Sequence, residues 1–343
     1  MIATAPGKLI LTGEYAVLDG APALVVAVDR RVIARRHKGP RGSSAFLLAI
    51  AEEIGKRLGP DDPATKAAME VVVDSTPFYD RTTKLGLGSS AAVTVAATTL
   101  ALAADHVSMP VIDRAQVLAI ASAAHASAQA MRGAAGSGAD IAASIYGGVI
   151  AYQRAAPEQI AWPSDAAASG QALAIGGATA DRLAWPTGVH LIPFFTGISA
   201  DTPALVRAVA AARDSRRAAV DAALEAIIKA SRAACQACAA RVPEVSSHAL
   251  LAALALASHA MDRLASATEL PLVPACVTAA RAALAPLGGT AKTTGAGGGD
   301  VAIAVIPATE DVRDAKRLLT GAGCKVLPLT VDQTGVDLQP DAQ

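Results

Sequence analysis

The chain alternates short segments rich in β-branched residues with longer alanine-rich segments, a pattern typical of a protein that mixes strands and helices. Ala23 to Arg36 and the Glu-Val-Val-Val-Asp segment at Glu70 to Asp74 both predict strands. Helical spacing predicts helices over Ser44 to Leu58, Ser90 to Ala104 and Asp113 to Met131. The first half is therefore predicted to be a mixed α/β unit.

The predicted first unit ends after one more helix and strand. Ala139 to Ile145 has helical character and stops at Gly147-Gly148, and Val149 to Gln153 then has strand composition. Trp162 to Trp185 carries scattered Gly, Pro and Ser with weak periodicity, and a strand pattern returns at Gly188 to Phe195. We therefore divide the chain into two domains, residues 1–185 and 186–343.

The second half is predicted to begin with long helices and to end in a strand, a helix and a strand. The helices are Ala204 to Ala240, Val245 to Ala267 and Pro274 to Leu284, and the closing elements are Val301 to Ile306, Asp311 to Thr320 and Lys325 to Leu329.

Composition and charge exclude several classes of function. The 343 residues are 52% hydrophobic, which is ample for the cores of two domains. Thirty basic residues balance thirty acidic ones, so no overall field attracts nucleic acid or an anionic membrane. An anionic ligand would have to be held by local clusters of charge, and we expect neither nucleic acid nor a membrane as a partner.

The N-terminus and the cysteines favour a cytoplasmic protein. Met1 leads directly into the first glycine segment without the basic and apolar regions of a signal peptide, and Ala91 to Ala104 is shorter than the roughly 20 residues of a membrane span. Four scattered cysteines fit a reducing compartment. Cys235 and Cys238 form a C-x-x-C in an alanine-rich segment without a second pair, so we interpret them as helix residues and keep a zinc or redox role as the alternative.

Three glycine-centred segments carry the chemical signal. They are Pro6 to Tyr15, Gly86 to Ala92 and Lys292 to Asp300. Glycine lets the backbone approach a ligand closely, so a glycine-rich loop that opens a helix suits a phosphate group. Three such segments, two of them with a lysine, predict nucleotide chemistry.

The central segment is the strongest of the three. Gly86-Leu87-Gly88 precedes Ser89-Ser90-Ala91 at the start of a predicted buried helix, where unpaired N–H groups and the helix dipole favour the β- and γ-phosphates of a nucleotide. The Ser90 hydroxyl is also a suitable oxygen ligand for Mg²⁺. A simple serine N-cap is the alternative interpretation.

Two common nucleotide motifs do not fit. A P-loop needs a lysine and a Ser or Thr directly after its last glycine, and neither Gly86 to Ser90 nor Gly295 to Asp300 has that lysine. The Gly-x-Gly-x-x-Gly spacing of dinucleotide-binding folds is absent from both segments. A P-loop NTPase is excluded, and a Rossmann dehydrogenase becomes a distant alternative.

The three segments, in this order, resemble the GHMP kinase superfamily over nearly the whole chain. Within it, the chain is most similar to phosphomevalonate kinases, on the evidence of Gly13 to Leu18, of Phe78-Tyr79 ahead of Lys84 to Ser90, and of Gly136 to Asp140. Mevalonate kinases usually read Gly-Glu-His in the first motif and His-Gly-x-Pro-Ser-Gly-x-Asp before the catalytic aspartate, and this chain has neither variant.

The resemblance implies an α+β protein with the two-domain GHMP kinase fold, a ribosomal-S5-like α/β domain followed by a ferredoxin-like α+β domain. It implies phosphorylation of (R)-5-phosphomevalonate to its 5-diphosphate with ATP and Mg²⁺ in isoprenoid biosynthesis. The partners are then ATP and a small phosphorylated substrate. The sequence leaves the oligomeric state open, with a homodimer as one option.

The resemblance also assigns catalytic residues. Lys8 matches a lysine that approaches the transferring phosphoryl group, and its alternative is a solvated lysine at the start of a strand. Asp140 matches the family aspartate, which could orient the acceptor, pair with Lys8, help to hold Mg²⁺ or act as a base; its alternative is a charge at a helix N-terminus.

Other residues are expected to contact the substrate. Lys84 and Lys292 each adjoin a glycine segment and would meet the charge of the acceptor. His125 occupies the place of a magnesium-binding glutamate of mevalonate kinases, and helix packing is an equal alternative. The remaining expected contacts are Tyr15, Ser137, Ser199, Gly295, Ala296 and Gly297. An N-cap at Asp201 or Thr202 is the favoured interpretation of the segment around Ser199, and Asp300 is interpreted as structural.

Two other functions remain open at this point. The same scaffold could phosphorylate mevalonate or another small alcohol, or it could be a catalytically silent nucleotide-binding regulator. Retention of Lys8, Ser90 and Asp140 argues against the silent form.

Overall fold

A computed structural model describes residues 1–37, 44–105, 110–132, 136–154 and 178–340. Its strands are β1 Ile2–Thr12, β2 Ala23–Arg36, β3 Val71–Asp74, β4 Tyr79–Asp80, β5 Thr83–Lys84, β6 Val149–Gln153, β7 Thr179–Leu183, β8 Val189–Phe195, β9 Thr290–Thr293, β10 Val301–Pro307, β11 Lys325–Val326 and β12 Asp337–Gln339. Its α-helices are α1 Ala45–Leu58, α2 Pro63–Ala68, α3 Ser89–Leu102, α4 Arg114–Ala130, α5 Ala139–Tyr146, α6 Thr202–Ser215, α7 Arg217–Ala239, α8 Pro243–Thr268, α9 Ala275–Leu284 and α10 Val312–Gly321.

The first sheet runs in the order β12-β1-β2-β6-β7, with β3 also paired to β2. All of these pairs are antiparallel. The register of β1 on β2 shifts between Pro6 and Gly7, directly before Lys8. A shift of this kind kinks a strand and redirects the side chains that follow it, so it affects where Lys8 points.

Helix α3 lies at the centre of the first core. It is buried on almost every side and contacts β1, β2, α4 and α5. Small Ala and Thr side chains cover most of its surface, which allows neighbouring elements to pack close to its axis. Dense packing along its length fixes the position of its N-terminal end, where the central glycine segment lies.

The second sheet runs β11-β8-β10-β9 and is also antiparallel. Helices α8, α9 and α10 belong to this half, and α9 and α10 pack against each other in a core that includes Phe194, Leu284 and Ile306. The expected fold, in which both halves of the chain combine helices with a sheet, is confirmed.

Four details differ from the sequence-based expectations. The first glycine segment is not a loop, because residues up to Thr12 continue strand β1. The helix expected over 204–240 is two helices that meet at Arg216. The last expected strand is limited to Lys325–Val326. Finally, β12 returns to the first sheet, so the closing residues pack with the N-terminal half.

The proposed division of the chain at residue 185 remains a prediction. Most of the segment that precedes this boundary, 155–177, lies outside the described residues.

Candidate active site

A cleft of about 690 Å³ opens where the two halves of the chain meet. The N-terminal ends of α3, α5 and α6 point into it, together with the end of β1 and the third glycine segment. Three helix N-termini around one cleft present unpaired N–H groups and partial positive charge, which favour an anionic ligand.

The central glycine segment forms a tight loop on the wall of this cleft, the predicted phosphate loop. Gly86 and Gly88 adopt left-handed backbone angles, with φ of 75° and 77°, and Gly88 is the residue that caps α3. A Cβ at Gly88 would lie 2.8 Å from Cε of Lys8, and one at Gly86 would overlap the carboxylate of Asp300. Glycine is therefore required at both places by backbone conformation and by close contact.

Lys8 lies directly beside this loop. Its backbone N–H donates to the carbonyl of Leu87 at 2.8 Å, and its partly buried side chain passes over Gly88 into the cleft. Burial lowers the pKa of Lys8; the carboxylates of Asp140 and Asp300 oppose that shift and the Lys84 ammonium adds to it. Lys8 is thus a partly desolvated cation whose charge depends on two nearby carboxylates.

Asp140 enters the same cleft from the first turn of α5. Gly138, with φ of 87°, caps this helix, and the backbone N–H of Ile141 donates to Oδ1 of Asp140 at 3.0 Å. Further along α5, the Ser144 hydroxyl donates to the carbonyl of Pro6 at 2.9 Å. This bond ties α5 to the strand that carries Lys8, so the two residues are held on adjoining, mutually fixed elements.

The third glycine segment closes the cleft from the second half of the chain. The hydroxyl of Tyr15 donates to the carbonyl of Ala296 at 2.5 Å, and the backbone N–H of Gly295 donates to the carbonyl of Ile10 at 3.3 Å. Gly295, Ala296 and Gly297 all line the cleft. The first and third segments therefore touch through hydrogen bonds next to the space available for a ligand.

Comparisons with known proteins agree with this geometry. The sequence profile described as the GHMP kinases N terminal domain matches residues 45–148, which include the phosphate loop, α3 and Asp140. The phosphomevalonate kinase of Streptomyces sp. (strain CL190) is 29% identical over 378 aligned residues that cover 97% of each protein. Residues 45–148 thus match a GHMP kinase domain, and the whole chain is similar to a phosphomevalonate kinase.

Solved structures share the fold of this chain. The Lin0012 protein from Listeria innocua superposes with a TM-score of 0.75 at 22% identity and covers 98% of this chain and 99% of its own. The Streptococcus pneumoniae phosphomevalonate kinase, solved in complex with phosphomevalonate and AMPPNP, superposes with a TM-score of 0.73 at 18% identity and covers 96% and 99%. At these identities the likeness concerns the fold alone.

Lys292 does not face the cleft. Its side chain is only 1% exposed, and its ammonium pairs with the buried carboxylate of Glu14 and donates to the carbonyl of Thr293 at 2.6 Å. The expectation that Lys292 meets the charge of the acceptor is therefore wrong. The lysine instead joins the first and third glycine segments, because a buried ammonium needs a buried counter-charge.

His125 also lies behind the cleft surface. The ring is 2% exposed, stacks on Phe46 with ring centroids 5.3 Å apart, and places Nε2 3.2 Å from Oγ of Ser90. The structure thus favours the packing alternative over direct substrate contact. Through Ser90, however, the imidazole touches the phosphate loop from behind.

Ser199 is exposed and does not line the cleft, contrary to expectation. Its neighbours Ala200, Asp201 and Thr202 do line it. Asp201 caps α6, since its Oδ1 accepts from the backbone N–H of Ala204 at 3.0 Å. The N-cap interpretation of this segment is confirmed.

The other expected contacts reach the cleft. Lys84 is exposed and borders both the cleft and an adjoining groove of about 540 Å³. Ser137 lines the cleft beside Asp140, and its Oγ accepts from the backbone N–H of Ala139 at 3.3 Å. Position alone does not assign a role to these residues, so their substrate contacts remain predictions.

Several cleft residues were not singled out by sequence reasoning. They are Gln129, Arg132, Arg207 and Thr202, together with Asp300, which had been interpreted as structural. For Asp300 a signal existed, because an aspartate that ends a glycine run is well suited to the left-handed φ of 58° it adopts. Nothing in the local sequence indicates that Arg132, in the turn after α4, and Arg207, on α6, share one cleft.

The cysteine pair carries no metal or redox signal. Cys235 and Cys238 are buried and free in α7, and burial raises the pKa of Cys238 to about 12. The thiols therefore stay protonated and unreactive at neutral pH. Within the ranges that the structure describes, no group of three or more His, Cys, Asp or Glu side chains could hold a metal, and no helix is long and apolar enough to cross a membrane.

The Glu14–Lys292 pair predicts a specific stability effect. Lys292→Met leaves the Glu14 carboxylate buried without its counter-charge, so we expect about 3–5 kcal/mol lower free energy of unfolding. The double variant Glu14→Gln/Lys292→Met removes both charges and should recover most of that loss. Urea denaturation of both variants measures the difference. An unchanged unfolding midpoint in Lys292→Met, with a raised KM for the acceptor, would restore the ligand-binding interpretation.

Proposed function

We propose that this chain transfers the γ-phosphoryl group of ATP to (R)-5-phosphomevalonate, forming 5-diphosphomevalonate and ADP in the mevalonate pathway of isoprenoid biosynthesis. The observation that carries the proposal is the position of Lys8 between the glycine loop at α3 and the Asp140 carboxylate at α5. The 97% coverage of the Streptomyces phosphomevalonate kinase supports the choice of acceptor.

ATP would place its phosphates on the loop from Gly86 to Ala91. The start of α3 offers backbone N–H groups, and Ser89 and Ser90 lie on both the cleft and the adjoining groove. Phe46 and Tyr79 provide aromatic surface in that groove, away from Asp140. This arrangement leaves the cleft between Lys8, Asp140 and the third glycine segment for the acceptor.

A phosphorylated acceptor reduces the need for a strong base. The second pKa of a phosphate monoester is near 6, so its attacking oxygen is already largely anionic at neutral pH. That oxygen forms a bond to the γ-phosphorus of ATP as the bond to ADP breaks. In our proposal Asp140 positions the acceptor, and removal of a proton by Asp140 is not required.

The larger obstacle is repulsion between two polyanions. Lys8 would stabilise charge on the transferring phosphoryl group, and Lys84, at the border of cleft and groove, would meet the charge of the acceptor. Tyr15, Ser137 and the backbone of Gly295 to Gly297 would contact the rest of the acceptor.

The residues present fit a magnesium ion that is carried mainly by nucleotide phosphates. Mg²⁺ in such sites keeps several water molecules and takes only one or two protein oxygens. The Ser90 hydroxyl and the Asp140 carboxylate border the same cleft and would be those ligands. When bound, the ion would neutralise phosphate charge during transfer.

A cytoplasmic location completes the proposal, and the oligomeric state stays open, with a homodimer as one option. All four cysteines lie in the described residues as free thiols, which suits a reducing compartment.

The choice of acceptor is tested by measuring ADP release with phosphomevalonate and with mevalonate side by side. We expect turnover with phosphomevalonate and little with mevalonate, because only phosphomevalonate carries a phosphate group that Lys84 could contact. Activity on the unphosphorylated alcohol alone would contradict the proposal, and tight ATP binding without turnover would favour a silent regulator.

Replacement of Lys8 tests its assigned role. Lys8→Ala should lower kcat about 100- to 1,000-fold, since an electrostatic contact made in the transition state is lost. ATP affinity, measured by calorimetry, should change little. The matched control is Lys84→Ala, for which the main expected change is a higher KM for phosphomevalonate. A Lys8→Ala enzyme with normal kcat and a raised KM would contradict the assignment.

Asp140→Asn separates positioning from base catalysis. If Asp140 only positions an ionised acceptor, kcat should fall about tenfold or less, whereas loss of a general base costs about 100- to 10,000-fold. The shape of the pH–rate profile should also match that of the natural enzyme below neutral pH. A profile that loses an acidic limb on substitution would show that Asp140 removes a proton.

A further inference from the structure

Asp300 has an unusual and firmly held backbone. It is one of the few described residues other than glycine with positive φ, at 58°. Its N–H donates to the carbonyl of Ile198 at 2.7 Å, and its own carbonyl accepts from both the N–H and the hydroxyl of Thr196, each at 3.0 Å. These three bonds place the side chain at the entrance of β10 with little freedom.

The carboxylate of Asp300 rests on the phosphate loop. Oδ1 accepts from the backbone N–H of Ala200 at 3.2 Å, and the group lies so close to Gly86 that a Cβ there would overlap Oδ2. Asp300 is the last residue of the third glycine segment, whereas Gly86 belongs to the N-terminal half. The side chain is therefore a charged contact across the cleft between the two halves.

A purely structural role does not explain why the side chain of Asp300 is charged. An asparagine would accept the same hydrogen bond from Ala200 and is well suited to a left-handed backbone. A carboxylate that is mostly desolvated is unfavourable unless cations compensate it. Burial raises the pKa of Asp300, and the N–H of Ala200 and the ammonium groups of Lys8 and Lys84, which line the same cleft, oppose that shift.

The groups that face Lys8 come from three elements. Asp140 approaches from α5, Lys84 from β5, and Asp300 from the end of the third glycine segment. Burial and Lys84 both lower the pKa of Lys8, and the two carboxylates raise it. Asp140 borders the space left for the acceptor, while Asp300 is held by the hydrogen bonds of its own backbone.

We propose that Asp300 is a positioning residue that keeps Lys8 charged and directed at the phosphate loop, and that it does so only when the third glycine segment is docked on Gly86. The catalytic part of this inference rests on the proposed phosphoryl transfer. Its consequence is that docking of the second half of the chain completes the charge arrangement around Lys8.

Two variants separate charge from hydrogen bonding. Asp300→Asn removes the charge and keeps an oxygen that accepts from the N–H of Ala200. Asp300→Gly removes the charge and the hydrogen bond. Because glycine suits the positive φ, Asp300→Gly should fold even if Asp300→Asn does not. Asp29→Asn is the matched control, because Asp29 also accepts from a distant backbone N–H, that of Thr330 at 3.1 Å, but lies on the surface.

The first measurement does not depend on turnover. The rate at which an amine-reactive acylating reagent modifies Lys8 is followed by peptide mass spectrometry as a function of pH, with exposed Lys66 as the internal reference. Only the uncharged amine reacts, so loss of the Asp300 charge should move the Lys8 midpoint to lower pH in both variants. Lys66 and the Asp29→Asn protein should show no shift.

The second measurement is kinetic. With phosphomevalonate, both Asp300 variants should lose about tenfold or more in kcat, a part of what complete removal of Lys8 costs. The basic limb of the pH profile should also move to lower pH, with little change in KM for ATP. An unshifted Lys8 midpoint, or an Asp300→Asn enzyme that behaves like the natural one while Asp300→Gly is impaired, would overturn the inference in favour of a purely structural role.

The two proposals fail in different ways. An enzyme without activity on phosphomevalonate would contradict the proposed function, and the acylation experiment would still decide whether Asp300 controls the charge of Lys8. A normal activity with no change in Lys8 reactivity would contradict only the role of Asp300.

Discussion

Close backbone contact in the middle of β1, at Gly7 and Lys8, is the constraint on which the cleft depends. Three segments that are far apart in the chain must meet there with almost no side-chain volume between them. A Cβ at Gly7 would lie 2.8 Å from the carbonyl oxygen of Leu87, and one at Gly88 would lie 2.8 Å from the Lys8 side chain. The glycines therefore allow Lys8 to lie directly on the loop, as well as leaving space beside the backbone for a ligand.

The same close approach buries lysine side chains partly or fully, and the structure stabilises their charges in two ways. Lys292 is fully buried and neutralised by Glu14, so it contributes to the junction of the first and third segments and not to the cleft. Lys8 is only partly buried and faces carboxylates at a distance, so its charge remains available to a ligand. A direct buried pair stabilises a junction, whereas a looser set of charges can respond to substrate.

The local sequence pattern predicted a large part of this arrangement. The central segment gave the phosphate loop and the helix that follows it, because glycine spacing and a serine pair at a helix start have a local physical meaning. Helix α1 and strands β2 and β6 were also confirmed within one residue at each end. Local pattern was sufficient wherever the controlling interactions lie within a few residues.

Prediction failed where long-range contacts decide. Lysines next to glycine segments look alike in sequence, yet Lys84 borders the cleft and Lys292 is buried beneath it. His125 and Ser199 were expected at the substrate, but the first packs behind Ser90 and the second faces outward. The orientation of each side chain depends on which element covers it.

The sequence by itself determined a mixed fold of helices and sheets, a resemblance to the GHMP kinases, and a glycine-rich loop at the start of α3. The tertiary structure alone decided which charges act together, placing Lys8, Asp140 and Asp300 around one cleft and removing Lys292 from it. The reason is physical. Backbone conformation and helix starts follow from neighbouring residues, whereas burial and the fields of distant charges exist only after the chain has brought them together.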